Sequence, residues 1–109
     1  MSDKDVLEEA HDLKYGDRKN LYGDAVENHE RIAKIFNAIT ERNLSAYEVA
    51  LMHVATKLVR TKANPNYRDS YVDGAAYLSI ANDCIDRAKN KETFAKVRQI
   101  LANSAQTKT

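Results

Sequence analysis

The sequence predicts an all-α protein. Glycine and proline are rare, with three glycines and one proline in 109 residues. Residues that favour helices, such as alanine, leucine, lysine and glutamate, are plentiful. Apolar residues recur at helical spacing along the chain, and no segment shows the alternation of a half-buried strand. We therefore expect one compact bundle of four to five helices.

The first two predicted helices cover residues 3–15 and about 24–43. The first has an apolar stripe and is followed by Gly16, which we expect to end it in a left-handed conformation. The second begins near Asp24 and carries apolar residues at helical spacing up to Ile39. We expect Asn43 to close it.

The third predicted helix, residues 46–62, is the most apolar part of the chain. Ser45 and Glu48 have the spacing of a capping box, which marks its start. Its apolar residues point in nearly every direction, so we expect it to lie at the centre of the bundle. Pro65 interrupts the chain after it.

The C-terminal part predicts two more helices, residues 70–89 and 92–102, with a weak interruption at Asn90 or Lys91. Residues 1–102 then form a single domain. The polar segment 103–109 is expected to be a frayed tail.

The composition excludes several classes of protein. Seventeen Lys and Arg against sixteen Asp and Glu leave a formal charge of +1, which argues against nucleic-acid binding. No long apolar run predicts a membrane span, and the polar first residues do not resemble a signal peptide. We therefore expect a cytoplasmic protein. The single cysteine, Cys84, excludes an internal disulfide and is expected to be an inert core thiol.

The central helix carries a polar stripe that predicts a phosphate site. His53, Lys57 and Arg60 recur at intervals of four and three residues on an otherwise apolar helix. Lys57 and Arg60 are candidate contacts for phosphate oxygens. Asn28 is a candidate for a hydrogen bond to a base or a sugar hydroxyl. Tyr77, which shares a face of its predicted helix with Asp69 and Asp73, is a further candidate for ligand binding.

Four acidic residues predict a Mg²⁺ site beside this phosphate site. Paired carboxylates supply the oxygen ligands that this hard cation requires. The candidates come from two predicted helices: Glu27, Glu30, Asp69 and Asp73.

A purely structural interpretation of the same residues stays open. Glu27 follows Asp24, and Asp73 follows Ser70, at capping-box spacing. Either acid could therefore help to cap the N-terminus of its own helix. Asp73 or Asp69 could also form a structural ion pair with Arg60.

Two further patterns favour structural roles. The tripeptide Tyr-Gly-Asp occurs at 15–17 and again at 22–24, where glycines ending helical turns and aspartates capping the next ones suffice to explain it. A ligand loop built from glycine amides is the alternative. His11, His29 and His53 have no metal-binding spacing, and we expect polar edges or satisfied core residues.

Three segments resemble a family of small phage-encoded proteins of unassigned function. They are residues 18–35 (RKNLYGDAVENHERIAKI), 48–60 (EVALMHVATKLVR) and 68–78 (RDSYVDGAAYL). A weaker likeness runs to the all-α nucleotide pyrophosphohydrolases of the MazG type, which hold Mg²⁺ with an ExxE pair and a later ExxD pair. Glu27 and Glu30 are similar to the first pair. Asp69 and Asp73 depart from the second, since they are four residues apart and neither is glutamate.

These observations leave three functions open. The first is a module that binds a phosphorylated small molecule, a nucleotide by preference, without catalysis and in a sequestering or regulatory role. The second, implied by the MazG resemblance, is a Mg²⁺-dependent nucleoside triphosphate pyrophosphohydrolase. The third is an inhibitor that binds a host protein. Because short helices cover an apolar central helix incompletely, we also expect a homo-oligomer.

Overall fold

The computed structural model describes residues 4–106, apart from the side chains of residues 17, 18 and 20. Within this range the chain forms helices and no strands, which confirms the predicted all-α fold. The helices are α1 (Val6–Tyr15), α2 (Asp17–Tyr22), α3 (Ala25–Thr40), α4 (Ala46–Ala63) and α5 (Arg68–Gln106). None of the helices in residues 4–106 has the length and apolarity needed to cross a bilayer.

Side-chain caps fix the starts of three helices. Asp5 accepts a hydrogen bond from the Glu8 amide at 2.8 Å, so α1 begins after it; the predicted start at Asp3 lies outside the described residues. Asp24 caps α3 by accepting from the Val26 amide at 2.8 Å. The predicted capping box of α4 is confirmed, with Ser45 and Glu48 bonded reciprocally. These caps satisfy amides that have no partner within their own helix.

Two glycines delimit α2, a short helix that the sequence did not predict. Gly16 has φ −93°, so the predicted left-handed stop is wrong. Glycine is needed there because a Cβ would lie 2.4 Å from the carbonyl oxygen of Asp12. Gly23 has φ +81°, a conformation that other residues rarely adopt. The chain therefore turns at Gly16 and again at Gly23, on either side of α2.

The helix α3 corresponds to the second predicted helix and ends earlier than predicted. It stops at Thr40, and Glu41 takes the left-handed conformation with φ 58°, so Asn43 does not close it. Asn37 holds the following turn, because its Nδ2 donates to the Leu44 carbonyl and its Oδ1 accepts from the Leu44 amide. This double hydrogen bond ties the end of α3 to the turn that leads into α4.

The predicted interruption at Asn90 or Lys91 is wrong. One helix of 39 residues replaces the two predicted helices and continues through Gln106. Asparagine within a helix costs less than about 1 kcal/mol, and no glycine or proline follows Gly74. The remainder of the predicted tail, residues 107–109, lies outside the described residues.

The core lies where α4 packs against α5. Ala50, Ala81 and Cys84 are buried there with Val26 of α3 and Ile80. A second, smaller cluster joins α1 to α5 through Ala10, Val72 and Ala76. The helix α4 contacts both α3 and α5. Its Met52, Leu58 and Val59 side chains nevertheless remain more than half exposed.

The C-terminal part of α5 extends away from this core. The described residues span 68 × 35 × 23 Å, and all residues from 88 to 106 are exposed. The large apolar side chains of this part lie largely on one side: Phe94, Val97, Ile100 and Leu101. We call these four residues the α5 stripe. No other described part of the chain covers it.

The homo-oligomer stays a prediction, and the exposed α5 stripe gives a way to test it. A two-fold axis would place the stripe of a second copy against it and bury the same apolar surface on both chains. We expect sedimentation at micromolar concentration to give at least twice the monomer mass of 12.3 kDa. Val97→Glu should weaken association, whereas Ala95→Glu, about 200° away around the helix, should not. Sedimentation of the parent protein as a monomer would contradict the prediction.

Candidate functional site

A cavity of about 380 Å³ lies between the N-terminal helices, α3 and α5. We call it the lysine cavity. Its apolar wall comes from Leu13, Ala25, Ala76 and Ile80. The rest of the lining consists of Lys14, Lys19, Tyr22, Gly23, Asn28, His29, Asp73 and Tyr77.

Two lysines bring positive charge to the lysine cavity. The Lys14 and Lys19 ammonium groups lie 4.8 and 6.0 Å from the centre of the Tyr15 ring. Lys14 is buried, donates to Ser79 Oγ at 2.8 Å and forms a salt bridge with Asp83. Burial works to lower the pKa of Lys14, but the bond to Asp83 helps to outweigh it and the pKa is raised. Lys14 therefore stays charged inside the wall.

A buried histidine forms part of the same wall. His29 is 5% exposed, and its Nδ1 lies 2.7 Å from the carbonyl oxygen of Ala25. A carbonyl can only accept, so Nδ1 donates this hydrogen bond. Nε2 is buried without a hydrogen-bond partner in the part of the chain that the structure describes. The expectation of a satisfied core histidine holds for the burial of His29 and for its Nδ1, whereas Nε2 has no such bond among the described residues.

Three rings pack together behind the cavity. The His53 ring stacks on Tyr77 with centroids 4.6 Å apart, and the His29 ring meets His53 edge-on at 5.2 Å. Burial, followed by the charges of His29 and Lys57, lowers the pKa of His53. The stack joins α3, α4 and α5, and it fixes the position of Tyr77 in the wall.

Some of the predicted ligand-binding residues meet here and others do not. Asn28 and Tyr77 both line the lysine cavity, and Asn28 Nδ2 donates to the Tyr22 carbonyl at 2.7 Å. Lys57 lies behind it and forms a salt bridge with Asp73 at 3.3 Å. Arg60 is exposed and outside the lining, and it makes no side-chain bond to another described residue. The alternative that paired Arg60 with Asp73 is therefore wrong.

The four acidic candidates for Mg²⁺ do not come together. Glu30 bonds to Lys91 at 2.7 Å, and Asp73 bonds to Lys57. Glu27 and Asp69 are exposed on separate helices. Within residues 4–106, no three His, Cys, Asp or Glu side chains are placed to hold a metal ion.

The capping alternatives for these acids also have a clear outcome. The helix α5 begins at Arg68, so Ser70 and Asp73 lie inside it and do not form its cap. Asp24 alone caps α3 through the Val26 amide, and Glu27 makes no reciprocal side-chain bond in the described range. Asp73 is instead the ion-pair partner of Lys57, with a side chain that is 19% exposed.

The sequence reasoning missed the residues of α1 and α2. Lys14 and Lys19 flank the first copy of the Tyr-Gly-Asp repeat, and Tyr22 begins the second copy. The repeat was the available signal, because two tight turns place α2 against α3 and bring both lysines to one cavity. Spacing along a single helix could not reveal this.

The predicted core thiol is confirmed as buried. Cys84 is 5% exposed in the α4–α5 core. Burial, followed by the carboxylates of Glu30 and Asp83, raises the pKa of its thiol. These conditions disfavour the thiolate, so Cys84 has the environment of a structural residue.

The fold and site together define a small helical protein with a lysine-bearing cavity. The chain belongs to the family described as a domain of unknown function, DUF6378, which it matches over residues 5–85. This match includes all residues that line the lysine cavity and excludes the α5 stripe.

Two similar proteins come from phages. The Gene 55 protein of Mycobacterium phage D29 is 33% identical over 94 residues, covering 86% of this chain and 60% of the relative. The Gene 55 protein of Mycobacterium phage L5 is 36% identical over 76 residues, covering 69% of this chain and 49% of the relative. The chain thus spans about half to three fifths of these relatives' length. The predicted phage family is confirmed, whereas the MazG likeness is not shown by these relatives. No solved structure matches the chain.

The Lys57–Asp73 pair yields a stability prediction. Both side chains are under one fifth exposed, so Lys57→Met leaves a largely buried carboxylate without its partner. We expect a loss of about 2 kcal/mol in the free energy of unfolding, measured with urea. Arg60→Met, on the exposed side of the same helix, should change it by less than about 0.5 kcal/mol. A larger loss for Arg60→Met than for Lys57→Met would contradict the assignment.

The lowered pKa of His53 yields a pH dependence. Between the lowered folded-state pKa and the unfolded value of about 6.5, the unfolded chain binds more protons. The contribution of His53 is therefore complete above about pH 6.5 and is lost as the pH falls through the folded-state pKa. His53→Gln should make stability less pH-dependent between pH 8 and 5, and His11→Gln, an exposed control, should not. An unchanged slope in His53→Gln would contradict this.

Proposed function

We propose that this chain binds a phosphorylated small molecule, a nucleotide, in the lysine cavity and does not transform it. The observation that carries the proposal is a cavity lined by two lysines, Lys14 and Lys19, together with polar and aromatic side chains. Its volume of about 380 Å³ lies in the usual range for small-molecule sites, roughly 300–1,000 Å³.

The charges around the cavity favour an anion. Lys57 neutralises Asp73, and Asp83 offsets Lys14, so among the described side chains of the lining only the positive charge of Lys19 has no salt-bridge partner. Lys19 is exposed and makes no salt bridge with another described residue. A phosphate between Lys14 and Lys19 would receive charge-assisted hydrogen bonds from both. In this proposal Lys14 and Lys19 bind the phosphate, the role that the sequence predicted for Lys57 and Arg60.

The remaining wall suits a nucleoside. Tyr22 and Tyr77 line it, and aromatic rings attract bases without requiring a particular one. The Nδ2 group of Asn28 is held by the Tyr22 carbonyl, which leaves its Oδ1 to accept from a sugar or base. In this proposal Asn28 and Tyr77 have the ligand-binding roles that the sequence predicts for them.

Binding is favoured over hydrolysis by the state of the carboxylates. Two of the four predicted Mg²⁺ ligands, Glu30 and Asp73, are bonded to lysines, and a cation would have to displace those lysines. No observation in the described residues favours the pyrophosphohydrolase. The presence of relatives in phages fits a protein that sequesters a nucleotide or a nucleotide signal of the host.

A thermal-shift screen tests the proposal. Nucleoside mono-, di- and triphosphates and cyclic nucleotides are each added with and without Mg²⁺. A ligand at about 100 times its Kd should stabilise the protein by about 2.7 kcal/mol. Lys19→Ala should weaken binding of that ligand by about tenfold or more, since it removes one charge-assisted contact. Lys34→Ala, an exposed lysine on α3 outside the cavity, is the matched control.

The alternatives have distinct outcomes in the same study. Release of pyrophosphate in the presence of Mg²⁺ would contradict a non-catalytic role and favour the hydrolase. A screen in which no nucleotide stabilises the parent protein would overturn nucleotide binding. Inhibition through a host protein would then be the remaining hypothesis.

A further inference from the structure

Lys14 lines the lysine cavity and already has a counter-ion. Its side chain is 8% exposed and its ammonium group is bonded to the carboxylate of Asp83. The same group donates to Ser79 Oγ at 2.8 Å. Any phosphate that uses Lys14 must therefore compete with Asp83.

The structure allows this exchange on the protein side. Asp83 is 38% exposed and forms no second salt bridge within the described residues, so it can turn toward water. Ser79 continues to hold Lys14 when Asp83 leaves. The lysine thus keeps its position while its anionic partner changes.

The exchange depends on the charge of the incoming anion. Asp83 carries one negative charge, and a phosphodiester also carries one, so a diester gains no charge advantage by replacing it. A terminal phosphomonoester has its second pKa near 6 and carries close to two charges at pH 7. Lys19 also lines the cavity, so two lysines are available to balance those two charges.

We infer that the lysine cavity selects a terminal phosphomonoester over a phosphodiester, with Asp83 acting as the competing anion. This inference rests on the proposed function and specifies the chemical class of its ligand. Asp83 is a specificity-determining residue that acts through Lys14, and it does not itself contact the ligand.

Calorimetric titration of paired nucleotides tests the inference. The four common 5′-monophosphates are compared with their 3′,5′-cyclic counterparts at pH 7.5. We expect the monoester to bind at least about tenfold more tightly, the scale of one charge-assisted bond. In Asp83→Asn the cyclic diester no longer competes with a carboxylate and should bind more tightly. The ratio of monoester affinity to diester affinity should therefore become smaller. Asp86→Asn, an exposed carboxylate three residues away, should leave the ratio unchanged.

A pH series gives a second readout that needs no variant. At pH 5.5 the monoester loses most of its second charge, whereas the charge of the diester does not change. The affinity ratio should therefore fall between pH 7.5 and 5.5.

The outcomes separate the inference from the proposed function. Equal affinity for monoester and diester in the parent protein overturns the inference and leaves nucleotide binding intact. Weaker binding of both ligands in Asp83→Asn also overturns it, because Asp83 then positions Lys14. If none of these nucleotides binds, the proposed function fails and the inference fails with it.

Discussion

The close contact between α4 and α5 is the constraint on which the rest of this structure depends. Ala50 and Ala81 are almost completely buried where the two helices meet. Small side chains let helix axes approach to the short end of the usual 8–10 Å, and a larger residue at either position would overpack the contact. The contact also fixes the rotation of α5 relative to α4. As a result, Lys57 meets Asp73 and His53 stacks on Tyr77.

The lysine cavity follows from how the other helices attach to this pair. The helix α3 inserts Val26 into the α4–α5 core and is tied to α5 by the salt bridges Asp24–Arg87 and Glu30–Lys91. The helix α1 meets α5 through small apolar residues, with salt bridges at Glu9 and Lys14. Between these two attachments the wall consists partly of Gly23, Ala25 and Ala76, which are too small to fill the space. Small residues that permit close helix packing therefore also leave room for a ligand.

Local signals in the sequence were sufficient for much of the fold. The helical periodicity predicted the fold class, and the capping box of Ser45 and Glu48 predicted the start of α4 to the residue. The continuity of α5 was not predictable in this way, because a weakly unfavourable asparagine ends a helix only when no favourable continuation competes with it.

The site required information that a single helix does not contain. Lys57 and Arg60 are one turn apart, and only the packing of α4 against α5 decides which of them meets Asp73. Asn28 and Tyr77 could be predicted as residues near a site from the sequence, because each lies on a helix that faces the core. Lys14 and Lys19 reach the cavity through two glycine turns, Gly16 and Gly23, whose geometry depends on the backbone contacts of the folded chain.

The central claim is that the space between the N-terminal helices, α3 and α5 is the ligand site. Titration of ¹⁵N-labelled protein with adenosine 5′-monophosphate, followed by amide chemical shifts, tests this location directly. The account predicts that the largest shifts occur at Lys14, Gly23 and Asn28, with little change near Arg60. Shifts concentrated near Arg60 at the C-terminal end of α4, with Gly23 and Asn28 unaffected, would contradict it.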